Sequence, residues 1–122
     1  MLYNPMVSRK IKRADGTEKR VFAIYSLGNF ISDRMLNNLH ADSGMILKLT
    51  IIKDDKGKTQ LNDISYIPTW VHKRYTNGIA KFRVLPIKKF LQSPDRFLTN
   101  QDLSTMKTVW NNTTTHLKGN PH

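Results

Sequence analysis

A run of five apolar or aromatic residues, Val21–Tyr25, leads directly into the small, turn-forming sequence Ser26-Leu27-Gly28-Asn29. Such a run is typical of a strand that is buried on both faces. Glycine permits a backbone with positive φ, and asparagine tolerates it better than most residues. Because ligands gather where strands end, Ser26, Gly28 and Asn29 are candidate ligand or cleft-wall residues. The alternative is a core strand with a tight exit.

Turn-forming residues divide most of the first 86 positions into hairpins. The strands on either side of these turns are rich in β-branched and apolar residues. Residues 31–43 carry apolar positions at spacings of three and four and predict either one short helix or an ordered loop. The predicted hairpins are residues 6–25 with a turn at Ala14–Thr17, Gly44–Lys53 with Lys58–Val71 across Asp54–Gly57, and a further strand Ala80–Leu85 after Thr76–Gly78.

One residue in the predicted return strand Lys58–Val71 and one directly after it allow more specific predictions. Pro68 donates no backbone hydrogen bond, which predicts that this strand is an edge strand or carries a bulge at Pro68. His72 lies beside Trp70 without a partner at metal-ligand spacing, and we expect it on the surface rather than in a catalytic role.

The last third of the chain is predicted to be helical. Ile87–Leu91 forms a short helix, and Thr99 with Asp102 has the spacing of a capping box for a second one. A single stripe at helical spacing follows, formed by Leu103, Met106, Trp110, Thr113 and Leu117. These patterns predict an α+β fold of antiparallel β-hairpins with C-terminal helices. Residues 1–86 are mainly β, residues 87–118 are helical, and the length fits one domain.

The charge of the chain favours an anionic polymer as a partner. Twenty Lys and Arg residues against nine Asp and Glu give a formal net charge of +11, and there is no acidic residue between Ile64 and Pro94. A generally basic surface without a specific partner is the alternative. The predicted polyanion-binding residues are Arg9, Lys10, Lys12, Arg13, Lys73, Arg74, Lys81 and Arg83.

Several kinds of chemistry find no support in the sequence. There is no cysteine, so disulfides, thiol catalysis and thiolate metal sites are excluded. The four histidines are scattered, and the sequence Gly57-Lys58-Thr59 lacks the glycine-rich loop of a phosphate-binding site. No run approaches the 18 or so apolar residues of a membrane span. We therefore expect no catalytic residue, metal or cofactor in this chain alone.

Four segments, taken in order, resemble the CapA (poly-γ-glutamate capsule synthesis) family. Tyr25–Phe30 reads YSLGNF, which is similar to the signature of that family. Gly44–Thr50 resembles the strand that follows it, Tyr66–Val71 resembles its Y-x-P-T-W-V strand, and Phe82–Pro86 resembles the segment before its final helices. The four matches cover nearly the whole chain.

The resemblance implies a specific fold and function. The family has a calcineurin-like metallophosphatase fold, and its metal-binding motifs lie mostly before the signature, so this chain resembles the C-terminal third of such a β-sandwich. A longer parent protein is then expected to bind a divalent metal, with Gly28 and Asn29 in the wall of its cleft. The implied function is synthesis, export or anchoring of poly-γ-glutamate at the outer face of a bacterial membrane.

Other readings of function and partners remain open. A fragment of a metal-dependent phosphoesterase using metal-activated water is one alternative. A basic nucleic-acid-binding module is another, although no reader motif is present. The expected partners are the anionic polymer or capsule synthase components. A second copy of the chain is also expected to pair through open strand edges.

Overall fold

The computed structural model describes residues 7–24, 27–30, 41–117 and 120–121 of the 122-residue chain. These residues form an α+β fold with antiparallel sheets followed by two helices, as the sequence predicts. The elements in chain order are β1 Val7–Lys12, β2 Glu18–Ala23, β3 Ser43–Lys53, β4 Thr59–Thr76, β5 Ile79–Pro86, α1 Ile87–Gln92, α2 Asn100–His116 and β6 Asn120–Pro121.

The predicted first hairpin is present as the two-stranded sheet β1–β2. Its strands pair from Val7 with Ala23 to Lys12 with Glu18. The Asp15 carboxylate accepts hydrogen bonds from the backbone N–H of Thr17 at 2.9 Å and from its hydroxyl at 2.6 Å. These bonds and the positive φ of Gly16 hold the turn closed.

The predicted burial of Val21–Tyr25 on both faces is wrong for the residues that the structure describes. Val21 and Phe22 are half-buried and Ala23 is exposed, whereas Tyr25 lies outside the described residues. The physical reason is that β2 pairs with β1 alone among the described strands, and a two-stranded ribbon cannot cover both of its own faces. The buried central strand is β4 instead.

The larger sheet is built on β4, which pairs with β3 on one side and with β5 on the other. Both turns fall where the sequence places them, and the second uses Asn77 and Gly78 with φ of 52° and 77°. Two consecutive positive φ values suit the twist of a two-residue hairpin. Strand β4 runs on to Thr76 rather than ending at Val71, because its last residues pair with β5.

Pro68 lies in this central strand, so the prediction that it marks an edge strand is wrong. The alternative, a bulge at Pro68, is also wrong, because the register shift of β4 lies opposite Thr50 and Ile51. Met45, the partner of Pro68 in β3, donates its N–H to Leu27 on the far side of β3. The ring nitrogen of Pro68 therefore faces away from β3. On that edge of β4, β5 pairs no further than Thr69 and β6 pairs with Ser65 and Tyr66. Among the described strands, Pro68 therefore faces no partner that needs its missing donor.

The two helices pack on one face of this sheet. The capping box of α2 forms as predicted: Thr99 N–H donates to the Asp102 carboxylate at 2.9 Å, and Asp102 N–H donates to the Thr99 hydroxyl at 3.1 Å. Met106, Thr113 and Leu117 of the predicted stripe are buried. The main apolar core consists of Trp70, Leu85, Ile87, Met106 and Val109, with Leu103 and Trp110 packed against it.

A second, smaller core lies where the start of β3 meets the middle of β4. Met45, Tyr66 and Leu117 are its buried members, and Ile24 packs against them. The Tyr66 hydroxyl donates to the carbonyl oxygen of Leu117 at 3.3 Å, which fixes the end of α2 against the sheet. No described helix has the length and apolar composition needed to span a membrane. Residues 31–43 are predicted as a short helix or an ordered loop. Of these, residues 31–40 lie outside the described residues, and Ser43 is the first residue of β3.

The start of β3 is held by a close backbone contact at Gly44. Gly28 forms a bridge with Gly44, and Asn29 N–H donates to the Ser43 carbonyl at 3.2 Å. A Cβ on Gly44 would overlap the backbone carbonyl oxygen of Asn29. The glycine at this position is therefore required for the segment around Gly28 to lie against β3.

We predict that Gly44→Ala lowers the free energy of unfolding by about 1–3 kcal/mol, since the backbone of Asn29 must shift to admit the methyl group. Urea denaturation followed by circular dichroism measures this loss. Thr50→Ala, in the exposed half of the same strand, is the control and is expected to change the value by less than about 0.5 kcal/mol. Equal stability of the two variants would contradict the prediction.

Candidate functional site

The β4–β5 register divides the four predicted basic residues of this hairpin between two faces. Arg74 lies opposite Lys81, and His72 lies opposite Arg83. Because side chains alternate along a strand, Arg74, Lys81 and Arg83 share the face that carries the helices. Lys73 points to the other face. The sequence run Lys73-Arg74 is therefore not one patch.

Three guanidinium groups surround the ring of Phe97, in the loop between α1 and α2. The guanidinium carbon of Arg74 lies 3.8 Å from the ring centroid, that of Arg96 lies 4.7 Å away and that of Arg83 lies 5.4 Å away. A cation over an aromatic face is attracted to the ring quadrupole. We call Arg74, Arg83, Arg96 and Phe97 the Phe97 cluster.

Only one arginine of the Phe97 cluster has an acidic partner among the described residues. Arg83 donates to Asp95 at 2.5 Å, and this hydrogen bond lowers the pKa of the Asp95 carboxyl. Arg74 and Arg96 form no ion pair within the described ranges, and the buried Nε of Arg74 has no hydrogen-bond partner there. The cluster therefore presents positive charge that the described residues do not neutralise, and Lys81 adds to it from the neighbouring position on β5.

His72 links the sheet to the first turn of α2. It is buried, with 3% of its surface exposed, so the expectation of a surface histidine is wrong. Its Nε2 lies 3.3 Å from the Asp102 carboxylate, and its Nδ1 lies 3.1 Å from Nη2 of Arg83. Since guanidinium can only donate, Nδ1 accepts and Nε2 carries the proton. Sequence spacing gave no signal for this contact, because His72 and Asp102 are 30 positions apart.

Lys73 forms a smaller basic and aromatic group on the opposite face. Its Nζ lies 5.3 Å from the ring centroid of Tyr75 and 5.5 Å from that of Phe82. Tyr75 is 67% exposed. The half-buried lysine thus lies near two aromatic rings.

The predicted basic residues of β1 lie far from this hairpin end. Lys10 and Lys12 share one face of the ribbon and Arg9 the other, by strand alternation, and all are exposed, as is Arg13 just after the strand. The ribbon approaches β4 near Thr59–Leu61, at the end of β4 remote from Arg74. About 40 Å of extended strand separates the two groups. The structure does not bring the eight predicted basic residues into one site.

The predicted cleft-wall residues have a structural role in the described part of the chain. Ser26 lies outside the described residues. The Asn29 side-chain amide donates to the Ala41 carbonyl at 2.9 Å, and Gly28 has a φ of 75° and bridges to Gly44. Both residues fasten this segment to β3, and a role in a cleft of a longer protein stays a prediction.

Two residues of the Phe97 cluster were not predicted from the sequence. Arg96 and Phe97 follow Asp95 and therefore lie outside the stretch without acidic residues on which the prediction of basic residues in β4 and β5 depends. An arginine next to an exposed aromatic residue is a weak signal by itself. This pair of residues indicates a cationic site only together with the fold, which places the loop over Arg74.

No group of three or more His, Asp or Glu side chains in the described ranges is placed to hold a metal ion. Comparisons with protein-family models, curated proteins and solved structures found no match to this chain. The resemblance to the CapA family stays a prediction.

The buried His72 generates a prediction for the pH dependence of stability. Burial lowers the pKa of His72, in opposition to the nearby Asp102 carboxylate, and Arg83 lowers it further. The folded state then binds fewer protons than the unfolded state below about pH 6.5. The contribution of neutral His72 to the free energy of unfolding is therefore present above that pH, and it is lost as the pH falls toward the lowered pKa of the folded state.

We expect the free energy of unfolding to decrease from pH 7 to pH 5, and His72→Gln to make that decrease smaller. Urea unfolding at each pH gives the slope. His116→Gln, which removes a histidine from the exposed end of α2, is the comparison variant, and His72→Gln is the one of the two that we expect to make the decrease smaller. An unchanged slope in His72→Gln would show that other groups cause the pH dependence.

Proposed function

We propose that this chain is the C-terminal segment of a CapA-like protein and that it binds poly-γ-glutamate, an anionic polymer of the bacterial surface, through the Phe97 cluster. The observation that carries this proposal is the crowding of three guanidinium groups around one ring with a single acidic partner among the described residues. Polymer carboxylates would supply the missing counter-charge.

The chemistry of arginine favours carboxylate ligands at this position. A guanidinium group presents planar pairs of donors that match a carboxylate in a bidentate contact. Arg74 and Arg96 both contact Phe97, so the ring holds their side chains near one position and reduces the entropy lost on binding. Lys81 lies directly across from Arg74 on the same face and extends the cationic surface along β5.

The proposed role is binding rather than chemistry. The charged groups near the cluster are already engaged: Asp95 accepts from Arg83, and Asp102 accepts from His72 and from Thr99. His72 and Asp95 position Arg83 beside the ring. The cluster thus offers held cations for a polymer, and the basic residues of β1 would add a general attraction at a distance.

We expect the double variant Arg74→Gln/Arg96→Gln to bind labelled poly-γ-glutamate about tenfold more weakly at low salt, because two charge-assisted contacts to carboxylates are lost. The slope of log affinity against log salt concentration should become shallower, because fewer cations contact the polymer. Fluorescence anisotropy across a salt series measures both quantities. Poly-γ-glutamate with esterified carboxyl groups is the control ligand and should not bind.

Arg9→Gln/Arg13→Gln is the matched control variant, since it removes the same charge from the ribbon. A loss of affinity equal to that of Arg74→Gln/Arg96→Gln would show that net charge alone drives binding, and the proposal would fail. Phe97→Leu keeps every cation and removes the ring. If single-stranded DNA bound more tightly than the polymer at the same salt concentration and lost that advantage in Phe97→Leu, nucleic-acid binding would replace the proposed function.

A further inference from the structure

A continuous groove runs between the ribbon β1–β2 and the hairpin β3–β4, remote from the Phe97 cluster. It has two adjoining parts, with volumes of about 550 Å³ and about 300 Å³. Lys19 and Arg20 of β2 and Thr59–Leu61 of β4 line both parts. Volumes of this size are in the range of ligand clefts, roughly 300–1,000 Å³. We call it the interstrand groove.

The two parts of the interstrand groove differ in chemistry. The larger part is basic: Arg13, Lys19, Arg20 and Lys58 line it with two acidic residues, Glu18 and Asp54. The Asp54 carboxylate already accepts the backbone N–H groups of Lys56 and Lys58, at 3.0 Å and 2.8 Å. The smaller part has a mainly apolar lining of Val21, Phe22, Leu49, Ile51 and Leu61.

The wall formed by β2 is an open strand edge in the described structure. Arg13 N–H donates to the Thr17 carbonyl, which marks a hydrogen-bonded pair of the antiparallel ladder. Alternation from this pair places the backbone N–H and C=O groups of Arg20 and Phe22 on the side away from β1. β1 is the one described strand that pairs with β2.

The wall formed by β4 is a second open edge. Asp54 N–H donates to the Lys58 carbonyl, so the backbone groups of Thr59 and Leu61 point away from β3. Among the described strands, β5 pairs with β4 only from Thr69 onward and β6 only at Ser65 and Tyr66. Counting only partners in the part of the chain that the structure describes, the interstrand groove therefore has unpaired peptide groups on both sides.

We infer that the interstrand groove is a docking site for an extended acidic peptide of a partner protein, which adds as a strand between β2 and β4. Strand addition supplies hydrogen bonds to an open edge, and alternate side chains supply specificity. Acidic side chains would meet Lys58, Arg20 and Arg13. Apolar side chains would enter the part lined by Phe22 and Leu61. A second copy of this chain is disfavoured in the groove, because each copy carries a net charge of +11.

This inference does not depend on the proposed polymer binding, since it uses none of the residues of the Phe97 cluster. The probe is a synthetic peptide with a glutamate-rich half and a valine-rich half, added to the whole chain. Amide hydrogen exchange should show new protection at Arg20, Phe22, Thr59 and Leu61. The same peptide with alternate backbone nitrogens methylated cannot complete the ladder, and we expect it to bind at least about tenfold more weakly.

A matched pair of variants in one turn tests the basic part of the groove. Lys58 lines the groove and Lys56 does not, while both donate only their backbone N–H to Asp54. We expect Lys58→Glu to weaken peptide binding about fivefold, by replacing an attraction with a repulsion. Lys56→Glu makes the same change in net charge and should leave binding within about twofold of the unmodified protein.

Four results would overturn the inference. One is equal binding of the same peptide with lysine in place of every glutamate. Another is protection at β5 rather than at β2 and β4. The third is displacement of the peptide by poly-γ-glutamate at equal carboxylate concentration, which would make the groove part of a polymer-binding surface. Sedimentation showing a dimer that already protects Arg20 and Leu61 without peptide would assign the groove to a second copy instead.

Discussion

The length of β4 is the constraint on which the rest of the structure depends. An 18-residue strand carries more backbone hydrogen-bonding groups than one neighbour can satisfy, and buried peptide groups must be paired. β3 pairs with the first two-thirds of β4 on one edge, and β5 pairs with its last eight residues on the other. Among the described strands, Pro68 lies between the parts of β4 that pair with β5 and with β6, so its missing donor removes no hydrogen bond there.

The buried half of β4 also explains where the helices lie. From Ser65 to His72 nearly every residue is buried, and Trp70 supplies the sheet side of the main core. The polar end of the same stretch is His72, which contacts Asp102 in the capping box of α2. One carboxylate thereby caps a helix and anchors that helix to the sheet. The apolar core and the charged cluster are consecutive parts of one strand face.

Local features of the chain could be predicted from the sequence, because short-range chemistry determines them. The turns at Asp15-Gly16, Asp54–Gly57 and Asn77-Gly78 and the capping box at Thr99 each depend on a few adjacent residues. The burial of Val21 and of His72 could not be predicted, since each depends on which distant element covers the residue. The Phe97 cluster was found only in part for the same reason: its ring and one of its arginines come from a loop that folds back over β4.

The crowding of like charges around Phe97 has an energetic meaning for the whole molecule. Proteins that are stabilised mainly by ion pairs lose stability as salt is added, because ions screen the attraction. Here Arg74, Arg83 and Arg96 repel one another across a single ring, with one carboxylate beside them. Dissolved anions relieve that repulsion. The contact between the sheet and the loop that joins the helices is thus expected to become more stable as the concentration of anions rises.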